Sequence, residues 1–193
     1  MDVQEIADGL WRWTAPHPEW TPDEGGPDGW ERDVGCVFYE APDAVCLIDP
    51  LVPPEEAERF WRALDRDVER AGKPVTVLLT VHWHARSADE ITERYGAGRE
   101  PPTGVETFPV ERGYEEVLFW LPEHGALVPG DSLLGAPDGG VRLCPPSWRT
   151  KIDDALFRSS LERLLDLPIE RVLVSHGEPV LENGRDALAR ALS

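Results

Sequence analysis

Two histidines one residue apart, His82 and His84, follow directly on the apolar run Pro74-Val-Thr-Val-Leu-Leu-Thr-Val81. A run so rich in β-branched residues and leucine reads as a buried strand. Residues two apart on an extended chain face the same way, so the pair is expected to aim two imidazoles at one point past the strand's end. Two other apolar runs end on a side chain of the same kind: Asp131 after Val128-Pro-Gly, and His176 after Leu173-Val-Ser. Histidine and aspartate are ordinary ligands of zinc, iron and manganese, and ligands from three strand ends can converge at one edge of a sheet. Each residue also has a structural reading: a strand-end histidine held by hydrogen bonds, or an aspartate that caps its own loop.

The elements that must position these residues follow from periodicity and turn chemistry. Gly9 to Thr14 alternates around Trp11 and Trp13 and reads as a first strand. A polar loop follows from Ala15 to Asp33, with Pro16, Pro18, Pro22 and Pro27 and with Trp20 and Trp30 embedded in it. Loops of this length are often functional; the two indoles suit a flap over a site or an anchor onto the core. Gly35 to Glu40 and Ala44 to Asp49 form two strands around the turn Ala41-Pro-Asp43. Pro53 and Pro54 with Glu55 and Glu56 start a helix whose buried face is Ala57, Phe60, Trp61, Leu64 and Val68, and Gly72 ends it. Ser87-Ala-Asp-Glu90 has the form of a capping box for a short helix that stops near Gly96. Further on come a strand over Gly104 to Pro109, a hairpin of Glu116 to Leu121 with Ala126 to Val128, and a Gly- and Pro-rich loop from Gly130 to Pro146. An amphipathic helix carries Ile152, Leu156, Leu161, Leu164 and Leu165, a strand runs from Arg171 to Ser175, and Asn183 caps a last helix. Hairpins and strand–helix alternation in two successive sets make a mixed α/β domain spanning residues 1–193.

Composition bounds the partners. With 19 Lys and Arg against 37 Asp and Glu, the net charge is −18, which repels phosphate backbones and anionic lipid headgroups. Neither nucleic acid nor membrane is expected as a partner; a small molecule is. The three cysteines, Cys36, Cys46 and Cys144, show no Cys-x-x-Cys spacing and read as buried residues of a reducing compartment. The first nine residues have neither the basic head nor the apolar stretch of a signal peptide, so the expected location is the cytoplasm.

In their order the motifs resemble the metallo-β-lactamase fold superfamily. Leu47-Ile-Asp49-Pro is similar to that family's strand ending in an Asp-Thr-Gly-type turn; a helix, His82-x-His84, Gly130-Asp131 and a last strand ending in His176-Gly177 follow. The resemblance implies an α/β fold, a four-layer αβ/βα sandwich with metal at the rim between two sheets. The departures are specific. The family's His-x-His-x-Asp-His motif has Arg86 and Ser87 in its last two places, and the region of its third histidine, Phe108 to Gly113, offers Val110, Glu111 or Arg112 instead. What survives implies a single zinc or iron ion held by His82, His84 and Asp131, with His176 as a further ligand or a proton shuttle. Glu111 becomes a fourth ligand if the register allows it. Arg86 either neutralises Asp131 where a second metal would sit or grips an anionic substrate, against the plain alternative of an outward arginine. Asp49 is expected to accept backbone hydrogen bonds in its turn, and Ser87 to cap its helix. The function this implies is a metal-dependent hydrolase of a small ester, thioester or amide. The alternative is a non-catalytic relative that has lost the metal and binds a small molecule or a protein partner. A mononuclear iron oxygenase finds little support without the third histidine.

Overall fold

Apolar residues in the central strands alternate between two layers, so both sheet faces need cover. The chain is described by a computed structural model over residues 1–26 and 28–193; Pro27 of the long loop lies outside the described residues. The first sheet runs in chain order through β1 (Asp2–Ala7), β2 (Leu10–Pro16), β3 (Asp33–Glu40) and β4 (Val45–Ile48). The helix α1 (Ala57–Ala71) then crosses over to β5 (Val75–Leu78), which pairs parallel with β4, and α2 (Ala88–Tyr95) follows. On β3, Val34, Cys36 and Phe38 face an apolar layer shared with Phe60 and Leu64 of α1 and with Ala88 and Ile91 of α2. Val37 and Tyr39 face the other way.

The second sheet has the order β11, β8, β7, β6. Its strands are β6 (Glu106–Glu111), β7 (Glu115–Leu121), β8 (Ala126–Val128) and, after a small hairpin of β9 (Leu133–Gly135) and β10 (Val141–Leu143) and the helix α3 (Asp154–Glu162), the two-residue β11 (Arg171–Val172). The last helix is α4 (Gly184–Leu192). Phe119 and Leu121 of β7 meet Val37, Tyr39, Cys46 and Ile48 between the sheets, whereas Leu118 and Trp120 turn outward onto Phe157 and Leu161 of α3 and Leu188 of α4. Helices, sheet, sheet, helices: the four-layer αβ/βα sandwich is the observed architecture.

Four expectations change. β1 has no apolar period because it is a solvent-facing edge strand, which is why its sequence hides it. The Gly- and Pro-rich loop contains the β9–β10 hairpin. The strand leading to His82 ends at Leu78, and residues 82–85 form a turn of 3-10 helix. Neither proposed cap bonds its helix through its side chain: Ser87 Oγ accepts instead from the Val52 amide at 2.9 Å, and Asn183 sits in the left-handed region with φ 57°. No helix among the described residues is long and apolar enough to cross a membrane.

Leu121 is fully enclosed between the sheets. Leu121→Ala is expected to lower unfolding free energy by about 2–5 kcal/mol in urea titrations. Val3→Ala, on the 52% exposed edge strand, is expected to change it by no more than about 0.5 kcal/mol.

Candidate metal centre

The two sheets are stitched together at one end, and the polar residues gather there. Val34 bridges His176 and Val81 bridges Glu116 across the gap. The Gly35 amide donates to the Ser175 carbonyl at 2.7 Å, and the Gly135 amide to that of His176 at 2.8 Å. Arg12, 6% exposed on β2, donates to the carbonyls of Val174 and Gly177 on either side of the same segment. His176 therefore sits on backbone clamped from three directions.

Asp131 is the centre of the cluster. Its Oδ1 lies 3.1 Å from His84 Nε2 and 3.3 Å from His176 Nε2. Its Oδ2 accepts from the Trp83 indole at 2.7 Å and lies 3.7 Å from the Arg112 guanidinium. His84, Asp131 and His176 are all buried, and each offers a ligating atom within 4.8 Å of the others. Behind His84 stands Asp49. Its Oδ2 accepts from His84 Nδ1 at 2.9 Å and from the Thr80 hydroxyl, while Oδ1 accepts from the Thr80 amide at 2.8 Å. The amide that Asp49 accepts from is that of Thr80, beyond β5, and not one in its own turn as expected, and Asp49 also fixes the His84 ring, with Nε2 turned to the cluster. A carboxylate on the outer nitrogen is the usual support of a metal-ligating histidine.

His82 does not join the cluster. In a 3-10 turn, successive side chains are about a third of a turn apart, so residues 82 and 84 diverge where an extended strand would align them. His82 is exposed on the cavity wall, edge-on to the Trp83 ring at 4.7 Å. Glu111 is exposed on β6 and lies outside the cavity lining. The next residue, Arg112, turns inward with 1% exposure and takes the place beside Asp131. Its Nε lies 2.5 Å from Glu116 Oε2, and Glu116 Oε1 accepts from the Ser132 amide at 2.9 Å. The roles of Arg112, Glu116 and Trp83 escape a reading of the sequence; the one signal is Glu116 immediately before the apolar run Val117 to Leu121. Arg86 does point into the rim, yet its bonds are to protein: Asp49 O at 3.0 Å, Gly35 O at 3.3 Å and Ser175 Oγ at 2.9 Å. Its φ of 38° marks a backbone held off its preferred range, which costs about 1–3 kcal/mol. Arg86 is thus a clamp between the ends of β3, β4 and β11. Asp131 takes its guanidinium neighbour from Arg112, and anion binding by Arg86 loses its support.

The charges follow from these contacts. Burial alone would lower His84, but the carboxylates of Asp49 and Asp131 outweigh it and push the imidazole up to about 9. Burial alone would raise Asp131, but His84 and His176 hold it well below the ordinary carboxylate range. Burial prevails at His176 and lowers it despite Asp131. Burial also raises Glu116, against the pull of Arg112.

The cluster forms the floor of a cavity of about 870 Å³. The loop after β2 covers it. The Trp30 ring meets His176 edge-on at 5.4 Å and His17 at 5.1 Å, and the Trp148 indole, 6.1 Å from His176, donates to the Asp28 carbonyl. The Trp20 indole donates to the Trp30 carbonyl, so one tryptophan of the loop anchors and the other faces the site.

No protein-family model matches the chain, and no curated protein matches it. Solved structures do. DIM-1 metallo-β-lactamase exposed to ceftazidime superposes with a TM-score of 0.62 at 12% identity, over 98% of this chain and 97% of that one. A metallo-β-lactamase from Erythrobacter litoralis gives 0.62 at 16% identity, over 98% and 89%. A metallo-β-lactamase family protein from Thermus thermophilus gives 0.54 at 18% identity, over 97% and 79%. Layer order, the clustering of His84, Asp131 and His176 at the rim between the sheets and these superpositions agree: the chain has the metallo-β-lactamase fold.

Proposed function

We propose that the cavity is the active site of a metal-dependent hydrolase with a single-ion centre, acting on a small ester, thioester or amide. Its ligands are His84, Asp131 and His176. The observation that carries the reading is their convergence within 4.8 Å, with the outer nitrogen of His84 fixed by Asp49. Two imidazoles and a carboxylate are a donor set that zinc and iron accept with positions left open. Bound there, such an ion supplies an acidified water and polarises a carbonyl. The chain's own residues do the rest. Asp49 and Thr80 set the His84 ring, Trp83 and Arg112 hold the second oxygen of Asp131, and Trp30 and Trp148 shield His176 from water. His82, free of the cluster on the cavity wall, is the imidazole placed to carry a proton to or from a substrate.

Elemental analysis tests this. Wild type purified without chelator is expected to carry about one zinc or iron per chain, since one donor set is present. His84→Ala and His176→Ala are expected to lose it and His82→Ala to keep it. A metal-free wild type, or loss in His82→Ala alone, contradicts the reading. Asp49→Asn, which keeps the shape but weakens the hold on Nδ1, is expected to lower metal affinity about 10–100-fold in competition with a chromogenic chelator.

A second reading, a metal-free relative that binds a small molecule, is favoured by one observation. Asp131 already has Trp83 at 2.7 Å and a guanidinium at 3.7 Å, and a fixed cation disfavours another nearby. In that state the His84 proton balances Asp49 and Asp131. Because the folded value of about 9 lies above the ordinary 6.5, the stabilisation is fully present below about 6.5 and is lost as pH rises through about 9. Chelator-treated protein is expected to melt at a lower temperature at pH 9.5 than at pH 6.5 if the proton fills this role, and His84→Gln is expected to flatten that difference.

A further inference from the structure

We infer that the substrate of this cavity carries an aryl group and no negative charge, the aryl packing on Trp83 and Tyr114. The inference rests on the hydrolase reading and names the substrate class of the same site. Among the described residues, Val3, Trp83, Tyr114 and Leu156 are the large apolar side chains left exposed. Val3 on β1 and Leu156 on α3 lie outside the lining of this cavity, and single exposed residues of that kind are ordinary. Trp83 and Tyr114 are different. At 39% and 43% exposure they are neighbours, with ring centroids 5.4 Å apart and planes at 87°, and both line the cavity. A third ring can lie flat on one of them and meet the other edge-on, the two arrangements that aromatic pairs favour.

Both rings are held by their polar ends. The Trp83 indole donates to Asp131 at 2.7 Å, and the Thr150 hydroxyl donates to that of Tyr114. The Arg112 guanidinium lies 5.2 Å and 5.7 Å from the two ring centroids. The turn that carries Tyr114 has no room for a β-carbon at Gly113 against the Thr150 carbonyl, and the Thr150 amide donates to the Arg112 carbonyl. With these groups tied, the pair offers a ligand ring surface that is already oriented, so binding does not have to order it. The platform also adjoins the reacting centre. Trp83 stands between His82 and His84 in the chain and bonds Asp131, so an aryl packed on its ring lies next to the proposed metal ligands.

The charges of the lining decide against an anion. Its permanent cations are Arg86 and Arg112. Arg86 bonds the Gly35 and Asp49 carbonyls and Ser175. Arg112, 1% exposed, pairs with Glu116 and donates to the Trp148 carbonyl. Neither is left to pair with a substrate carboxylate. His17 adds no charge near neutral pH, since burial and then Arg86 lower it. Glu19, Asp23, Glu24 and Asp28 share the lining, and the net charge of −18 repels anions at longer range.

NMR titrations of chelator-stripped protein with benzamide, benzoate and isobutyramide test this. They are read at the indole N–H signals, with Trp83→Phe identifying that of Trp83. Benzamide is expected to shift the Trp83 signal. It is expected to bind at least about fivefold tighter than isobutyramide, which lacks the ring, and than benzoate, which adds a charge to it. Tyr114→Leu is expected to weaken benzamide about fivefold, whereas Tyr114→Phe, which keeps the ring and loses the Thr150 bond, is expected to bind it as wild type does. Melting temperatures serve as the folding control, and the ranking of the three probes on wild type decides the matter if Tyr114→Leu fails to fold. Benzoate or isobutyramide binding as tightly as benzamide, a Trp83 signal that stays put, unchanged binding in folded Tyr114→Leu, or no binding of any probe overturns the inference. Stripped protein keeps this result separate from the metal reading. Aryl selectivity without metal uptake removes the hydrolase and leaves the ligand class; metal uptake without aryl selectivity does the reverse.

Discussion

A carboxylate buried between two imidazoles organises this end of the molecule. Asp131 is 5% exposed, and an ionised carboxylate so deep is costly unless it is met on every side. It is met by His84 and His176 on one oxygen and by Trp83 and Arg112 on the other. Asp49, 3% exposed, poses the same problem one residue farther back and shares the same histidine. Arg112 is paired with Glu116 at 2.5 Å. His84 stands between Asp49 and Asp131, and either a proton on its ring or a bound cation offsets the two carboxylates there. Those two answers separate the metal-free from the metal-bound reading proposed for the cavity.

The surrounding structure exists to keep these groups where they are. The segment carrying His176 is nearly without regular strand after Val172, so its position depends on hydrogen bonds across the sheet gap. Gly35 shows how close that approach is. A β-carbon there would stand 2.6 Å from the Arg12 guanidinium and 2.6 Å from the Val174 carbonyl, so no larger residue fits without moving the His176 segment. Arg86 completes the clamp from the other side in a strained backbone conformation. Two arginines acting on backbone carbonyls thus hold the His176 segment against the first sheet.

The layered fold was legible because alternation in β3, β4, β7 and β8 is carried by large apolar side chains buried on both faces. The edge strand β1 and the hairpin of β9 and β10 were not, since the first is solvent-exposed and the second is short and lies among glycines and prolines. In the site, the sequence order of His84, Asp131 and His176 at element ends is what the structure brings together. His82 falls outside the cluster because period-2 alignment needs an extended chain, and residues 82–85 form a 3-10 turn. Arg112 and Glu116 were hidden for a different reason: a buried ion pair looks like two surface charges until the register of β6 and the turn after it is known.

In the metal centre proposed above, the ion would displace a proton that His84 carries between Asp49 and Asp131. Zinc titrated into stripped protein at pH 7.5, in buffers of differing ionisation enthalpy, measures it directly. With His84 at about 9, binding is expected to release close to one proton per ion, counting about one ion per chain. Zinc uptake with no proton released, or no uptake at all, contradicts the account.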